Sequence, residues 1–241
     1  MQDALDRLNA LDPITGKQPA IRPKDAATLM IVDRTGSDPK VLLGRRHDGH
    51  AFMPGKFVFP GGRVEKTDAL MPTASELNPR AAAKLMQGAS ASKARALALA
   101  AIRETFEETG LMLGIPGQTR PAAPAGLWSA FAEAGVQPDL TPLHYIARAI
   151  TPPGLSRRFD TRFFAVDAQT IAHRVSGVVG PQAELVELVW APIGETQKLR
   201  IHPITAAILQ ELEARVAAGL GHDLPVPFYR RKNRRFVREW L

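Results

Sequence analysis

Arg103-Glu104-Thr105-Phe106-Glu107-Glu108-Thr109-Gly110-Leu111 is the stretch on which the reading of this chain turns. It closes an Ala-rich segment that predicts a helix from about Ser92 to Thr109, with Gly110 as the left-handed terminator. At a hundred degrees per residue Leu99, Ile102 and Phe106 fall on one side, and Glu104, Glu107 and Glu108 on roughly the opposite arc. One face is expected to bury while the other is acidic. Glu104 and Glu108 stand one turn apart with Glu107 beside both, so three carboxylates crowd the C-terminal end of the helix. There the macrodipole disfavours anions and like charges repel, each by roughly a few tenths of a kcal/mol. Arg103 can pair with Glu107, but one guanidinium does not neutralise three carboxylates. A hard divalent cation with oxygen ligands would, and Mg2+ (or Mn2+) suits a site that keeps waters and substrate phosphates in its shell. For Glu107-Glu108 taken alone, a solvated acidic face is the competing reading.

Upstream, Ala26 to Val32 and Val41 to Arg46 read as two strands of a hairpin around the turn residues 33–39. Phe57-Val58-Phe59 is a third short run, and Pro60-Gly61-Gly62 is expected to force a loop after it. Residues 69–98 favour helix, with Asn78-Pro79 as a start and Gly88-Ala89-Ser90 as a break. Downstream, a short helix is expected over Leu127 to Ala134, then strands over Tyr145 to Ile150, Thr161 to Val166 and Leu185 to Trp190. Pro203 to Gly219 has helical spacing with proline in the first turn. Strands precede, separate and follow helices, which indicates a mixed α/β sandwich.

The 241 residues, 45% of them hydrophobic and 23% charged, suffice for one well-filled core. The expected organisation is a polar arm over 1–24, a domain over 25–220 that includes the 69–98 helical insertion, and a basic tail over 221–241. Absence of cysteine excludes disulfides, zinc-thiolate sites and cysteine nucleophiles, and a cytoplasmic setting is the simplest reading. The first residues lead into no long apolar run, so no secretory signal or membrane span is expected, and no membrane partner. The net charge of +7 concentrates between Arg230 and Arg238. That cluster suits an anionic partner, with a solvated surface helix or a subunit contact as the preferred alternative. A homodimer stays open on that account.

Arg103 to Leu111 resembles the second half of the Nudix box, Arg-Glu-apolar-x-Glu-Glu-x-Gly-apolar, with Thr105 in the apolar slot as the deviation. Phe59-Pro60-Gly61-Gly62 resembles the lead-in to the first half. Two departures stand out. Asp68 occupies the position where the family has Glu, and the family spacing would put the arginine at position 76, whereas it stands at 103, 27 residues later. That insertion, with the upstream stretch from Ala51 to Asp68, is similar to the Nudix subgroup that includes peroxisomal coenzyme A diphosphatases. Asp68 reads either as a cap of the insertion or as a support of the metal loop.

The resemblance implies a Nudix-like α/β/α sandwich with a mixed sheet and an extra helical insertion. It also implies Mg-dependent cleavage of the diphosphate in a nucleoside diphosphate linked to another group, with coenzyme A or acyl-coenzyme A as the leading substrate. The expected metal ligands are Glu104, Glu107 and Glu108. Glu104 is the expected general base, and Arg103 joins it among the catalytic candidates, more by orienting Glu107 than by touching substrate. Glu184 or Glu187 is an alternative base or ligand, against the reading that both are surface residues. Gly61, Gly62, Arg45 and Arg158 are the expected substrate contacts, guanidiniums suiting phosphate oxygens, and Phe159 is placed to stack on a base. His47, His50 and His144 read as structural or surface histidines. The competing functions are hydrolysis of NADH, ADP-ribose or another nucleotide, action on nucleic acid, and nucleotide binding without cleavage. Nucleic acid is disfavoured as a partner because no aromatic-basic RNA platform is evident.

Overall fold

The computed structural model describes residues 2–10, 21–49, 53–117 and 121–241. After helix α1 (Gln2–Asn9) come strands β1 (Lys24–Asp33), β2 (Lys40–Arg46), β3 (Phe57–Val58) and β4 (Gly61–Arg63). Helices α2 (Pro79–Met86) and α3 (Ala91–Thr109) follow, then β5 (Leu111–Leu113), β6 (Ile115–Pro116), α4 (Trp128–Ala134) and β7 (Val136–Gln137). The chain continues through β8 (His144–Ile150), β9 (Phe159–Asp167), β10 (Ile171–Arg174) and β11 (Leu185–Pro192). It ends with α5 (Pro203–Ala217), β12 (Pro227–Lys232) and β13 (Arg235–Trp240).

The main sheet runs β11-β2-β1-β9-β8-β12-β13, with β3 added to β2 and β4 to β1. It is mixed: β1 with β9 and β8 with β12 are parallel, and the other pairs are antiparallel. Strand β1 is apolar almost throughout because the sheet is covered on both faces. Ala27, Leu29 and Ile31 point to a core shared with Leu97, Leu99, Ile102 and Phe106 of α3. Met30 and Val32, on the opposite side of the pleat, share a second core with Ile208 and Leu212 of α5 and Leu8 of α1. This is the α/β/α sandwich expected from the sequence, with α3 on one face and α5 on the other.

One departure from expectation positions the site. Strands β1 and β2 pair directly only at Val32–Val41 and Asp33–Lys40, which leaves the first half of β1 open along that edge. Pro60-Gly61-Gly62 does not make a free loop there. Gly61–Arg63 forms β4 and pairs with Thr28, Ala27 and Ala26. The glycines permit it by close approach: a methyl group on Gly61 would lie 2.5 Å from Thr28 Oγ1 and 2.6 Å from the Ala27 carbonyl oxygen.

The insertion is helical only in part. Asn78 caps α2 by accepting the Arg80 amide at 3.0 Å. The preceding stretch instead folds around Arg95, which donates to the carbonyls of Ala69 and Met71, so side-chain donors take the place of helical amides. The basic segment 221–241 is likewise no separate tail and no surface helix. It contributes β12 and β13, with Phe228 paired to Arg148 of β8 and with Arg230 and Lys232 neutralised across the hairpin by Glu239. In the arm, Leu8 is buried beside α5, and Asn9 accepts the Phe236 amide at 2.8 Å. Among the described residues no helix is long and apolar enough to cross a membrane.

Helix α3 is buried nearly all round rather than on one face. Thr105, the polar residue in an apolar slot, is fully buried, and its hydroxyl donates back to the Ala101 carbonyl at 2.7 Å. The helix stops at Gly110, whose φ is +75° and whose amide bonds the Phe106 carbonyl. A side chain on Gly110 would collide with the Val175 carbonyl oxygen at 2.2 Å. Gly110→Ala should therefore destabilise the protein by about 1–3 kcal/mol, the cost of a strained left-handed residue, read as a lower urea midpoint at unchanged m-value.

Candidate active site

Asp68 and Arg103 meet in the interior between α3 and the turn that follows β4. Asp68 is 0% exposed and Arg103 2%. The guanidinium forks onto the carboxylate, Nε to Oδ1 at 2.7 Å and Nη2 to Oδ2 at 3.2 Å. The Glu65 amide and the Trp128 indole N–H also donate to Asp68, at 2.7 and 3.2 Å. Asp68 is thus fully engaged as a buried acceptor, which settles its two sequence readings in favour of a support rather than a cap. Arg103 uses its other donors on the Arg63 carbonyl at 2.8 Å, on Glu104 at 3.1 Å and on Glu107 at 3.2 Å. Burial alone would lower its pKa, but the Asp68 hydrogen bond and the Glu104 and Asp68 charges outweigh that and raise it further, so the cation is permanent. Arg103, counted in the sequence among the catalytic candidates, is enclosed and saturated. It is a positioning residue that ties β4 to α3 and holds two glutamates.

Those glutamates face a cleft of about 1720 Å³, lined also by Gly61 and Gly62. The Glu104 carboxyl lies so close to the Gly62 Cα that a methyl group there would sit 2.5 Å from it. Glu108 is 5% exposed, and its Oε2 accepts the Gly61 amide at 3.1 Å. Glu107 is half exposed. Across the cleft Arg46 pairs with Glu184 at 2.8 Å and approaches Glu108 at 3.9 Å. Glu184, one of two alternatives weighed from the sequence, therefore joins the group. Glu187 does not, because it pairs with Arg45 at 3.0 Å away from the cleft.

The carboxyls resist ionisation. Burial pushes Glu104 up to about 7, with the Arg103 cation opposing and Glu107 adding to the rise. Burial also raises Glu107. Glu108 is raised well above the carboxylate range by burial and then by the charge of Glu184, with Arg46 opposing. Among the described residues no three acidic or imidazole side chains form a ready-made metal shell. The donor chemistry nonetheless fits a hard divalent cation: oxygen ligands, excess negative charge and burial that disfavours the ionised forms.

Two expected substrate contacts are corrected. Arg45 points away from the cleft, and Arg46 lines it. Arg158 is held by the carbonyls of Thr151 and Ile21 at 3.1 and 2.6 Å, while its neighbours Arg157 and Phe159 line the cleft. His47 accepts the Gly49 amide, and His144 stacks on His222 at 4.2 Å, both away from the glutamates. His50, with Ala51 and Phe52 of the upstream stretch, lies outside the described residues.

A two-sided α/β/α sandwich that presents a glutamate-bearing helix end to a strand-borne Gly-Gly pair defines a class of hydrolase. The crystal structure of a NUDIX hydrolase from Alicyclobacillus acidocaldarius superposes with a TM-score of 0.62 at 31% identity, over 83% of this chain and 98% of that one. The chain belongs to the Nudix hydrolase family. It is also similar to the acyl-coenzyme A diphosphatase NUDT19 of Xenopus laevis, 30% identical over 139 residues, 39% of this chain and 35% of the relative. The Gallus gallus protein of the same name is 28% identical over 186 residues, 55% of this chain and 49% of the relative. The match thus spans between a third and a half of the curated relatives' length. No protein-family model matches the chain.

Removing Asp68 leaves the Arg103 cation buried with one partner fewer. Asp68→Ala should cost about 3–5 kcal/mol in chemical denaturation. A second outcome concerns pH. Because the folded protein holds the Glu104 proton up to about 7 against an ordinary 4.5, this group's stabilising contribution is complete below about pH 4.5 and lost as pH rises through 7. His144 and His202, each pushed down to about 4, act in the opposite sense, so the comparison is made against Glu104→Gln. In EDTA, the stability of Glu104→Gln relative to the parent should grow from pH 5 to pH 8.

Proposed function

We propose that the chain is a divalent-metal-dependent pyrophosphohydrolase that cleaves the diphosphate of a nucleoside diphosphate linked to another group, with coenzyme A or an acyl-coenzyme A as substrate. The observation that carries the reaction is the convergence of Glu104, Glu107, Glu108 and Glu184 on one cleft beside Gly61 and Gly62. Support for the substrate comes from the long insertion between Gly62 and Arg103 and from the similarity to proteins named acyl-coenzyme A diphosphatases.

In this reading Glu104, Glu107 and Glu108 hold Mg2+ or Mn2+, which when bound offsets the charge of the diphosphate and lowers the pKa of a coordinated water. Glu104, on the cleft side of Arg103, takes the proton of the attacking water. Gly61 and Gly62 line the cleft in which the substrate lies, and Gly61 also fixes Glu108 through its amide. Arg46 holds Glu184 against the cleft. Arg103 keeps Glu104 and Glu107 in position from behind.

Glu107→Gln and Glu108→Gln should each abolish Mg2+-dependent turnover. Glu108→Gln should also keep or raise the melting temperature, since glutamine reproduces the neutral form that burial favours. Unchanged turnover in both variants overturns the metal role. A panel of coenzyme A, acyl-coenzyme A, NADH, ADP-ribose and nucleoside triphosphates, with products identified by mass, tests the substrate; intact coenzyme A alongside a cleaved alternative overturns that part.

A further inference from the structure

The cleft has a second end, built from three separate stretches of chain that the sheet brings together. Lys24 opens β1 and pairs with Phe159 at the start of β9. Strand β8 runs the other way and ends beside them, since Ile150 pairs with Asp160. Strand β12 is parallel to β8, so its last residues and the turn into β13 reach the same end. Arg157, Arg231 and Arg234 consequently line the cleft together with Lys24 and Arg22. Phe159 and Phe236 also line the cleft.

These cations exceed the local supply of anions. Asp25 is occupied by Lys93 at 2.9 Å and Arg162 at 3.0 Å. Asp160 is held in a two-point contact by Arg148, and Glu239 is held by Arg230 and Lys232. Among the described residues no carboxylate pairs with Arg22, Lys24, Arg157 or Arg234. Arg234 moreover adopts a φ of +66°, in a two-residue turn where glycine would be unstrained. The glutamate end lies close by: Gly62 pairs with Ala27, three residues along β1 from Lys24, which is roughly 10 Å at about 3.3 Å per residue.

We propose that this basic end binds a phosphomonoester that the substrate carries apart from the diphosphate to be cleaved. The assignment rests on the reaction proposed above. A dianion with three acceptor oxygens matches several convergent guanidiniums. A ring stacked by Phe159 or Phe236 would bridge the two ends. Within the nucleoside diphosphates, the cleft then selects those with a further phosphate on the nucleoside, as in coenzyme A, over those without it, as in dephospho-coenzyme A, NADH or ADP-ribose.

The test is binding to the metal-free full chain, with adenosine 3′,5′-bisphosphate, adenosine 5′-monophosphate and inorganic phosphate as probes, followed by steady-state kinetics on coenzyme A and dephospho-coenzyme A. The bisphosphate should bind about tenfold or more tightly than the monophosphate, a gap expected from one or two charge-assisted hydrogen bonds. Arg157→Ala combined with Arg234→Ala, both exposed positions, should bring that ratio close to one. On coenzyme A the same double variant should raise KM and leave kcat unchanged. Equal binding of the two nucleotides, or inorganic phosphate competing as well as the bisphosphate, overturns the proposal. A bisphosphate preference without coenzyme A hydrolysis retains this subsite and overturns the proposed reaction. Hydrolysis with equal KM for the two coenzymes does the reverse.

Discussion

The buried contact between Arg103 and Asp68 is the constraint on which the site depends. Taking both charges out of water is unfavourable unless each finds near-complete compensation, and here it does, through the fork between them and the donors from Glu65 and Trp128. Because Arg103 also reaches the Arg63 carbonyl, the pair fixes the distance between β4 and α3. The carboxyls of Glu104 and Glu107 then have only one place to go, on the cleft side of the guanidinium. A site with excess negative charge is thus backed on the α3 side by an interior cation that solvent does not reach, with Arg46 facing it across the cleft.

The second enabling feature is the divergence of β1 and β2. A hairpin paired along its full length would leave no room for β4, and Gly61 and Gly62 would not meet the end of α3. The partial pairing gives β4 a free edge, and β4 brings its backbone within reach of Glu108 and Glu104. Burial in the metal-free protein raises the pKa of Glu104, Glu107 and Glu108, while the Gly61 amide opposes the rise at Glu108.

Local signals made α3 legible in the sequence. Ser90, the Ala-rich run and Gly110 mark its limits, and the spacing of Glu104, Glu107 and Glu108 sets their common arc. The role of Asp68 is not legible locally, because its partner lies 35 residues away across the insertion and no local periodicity reports such a contact. Arg45 and Arg46 show a different limit. Alternation puts Arg46 on the side of Leu42 and Arg45 on that of Val41 and Leu43, but only the fold tells which side α3 covers. The terminal hairpin is hard to read because arginine and lysine fill the second half of β12 and interrupt the half-exposed β13, and its turn, Asn233-Arg234, lacks glycine.

That hairpin also closes the sheet in a second sense. Strand β13 is an edge, and an unprotected edge invites pairing with any passing strand. Here Asn9 of α1 bonds both the amide and the carbonyl of Phe236, at 2.8 and 3.4 Å, and Arg238 is held by Glu211 of α5 while its guanidinium lies 3.8 Å over the Trp240 ring. Helices α1 and α5 therefore fasten the edge strand, and Asn9 occupies backbone groups that a further strand would otherwise pair with.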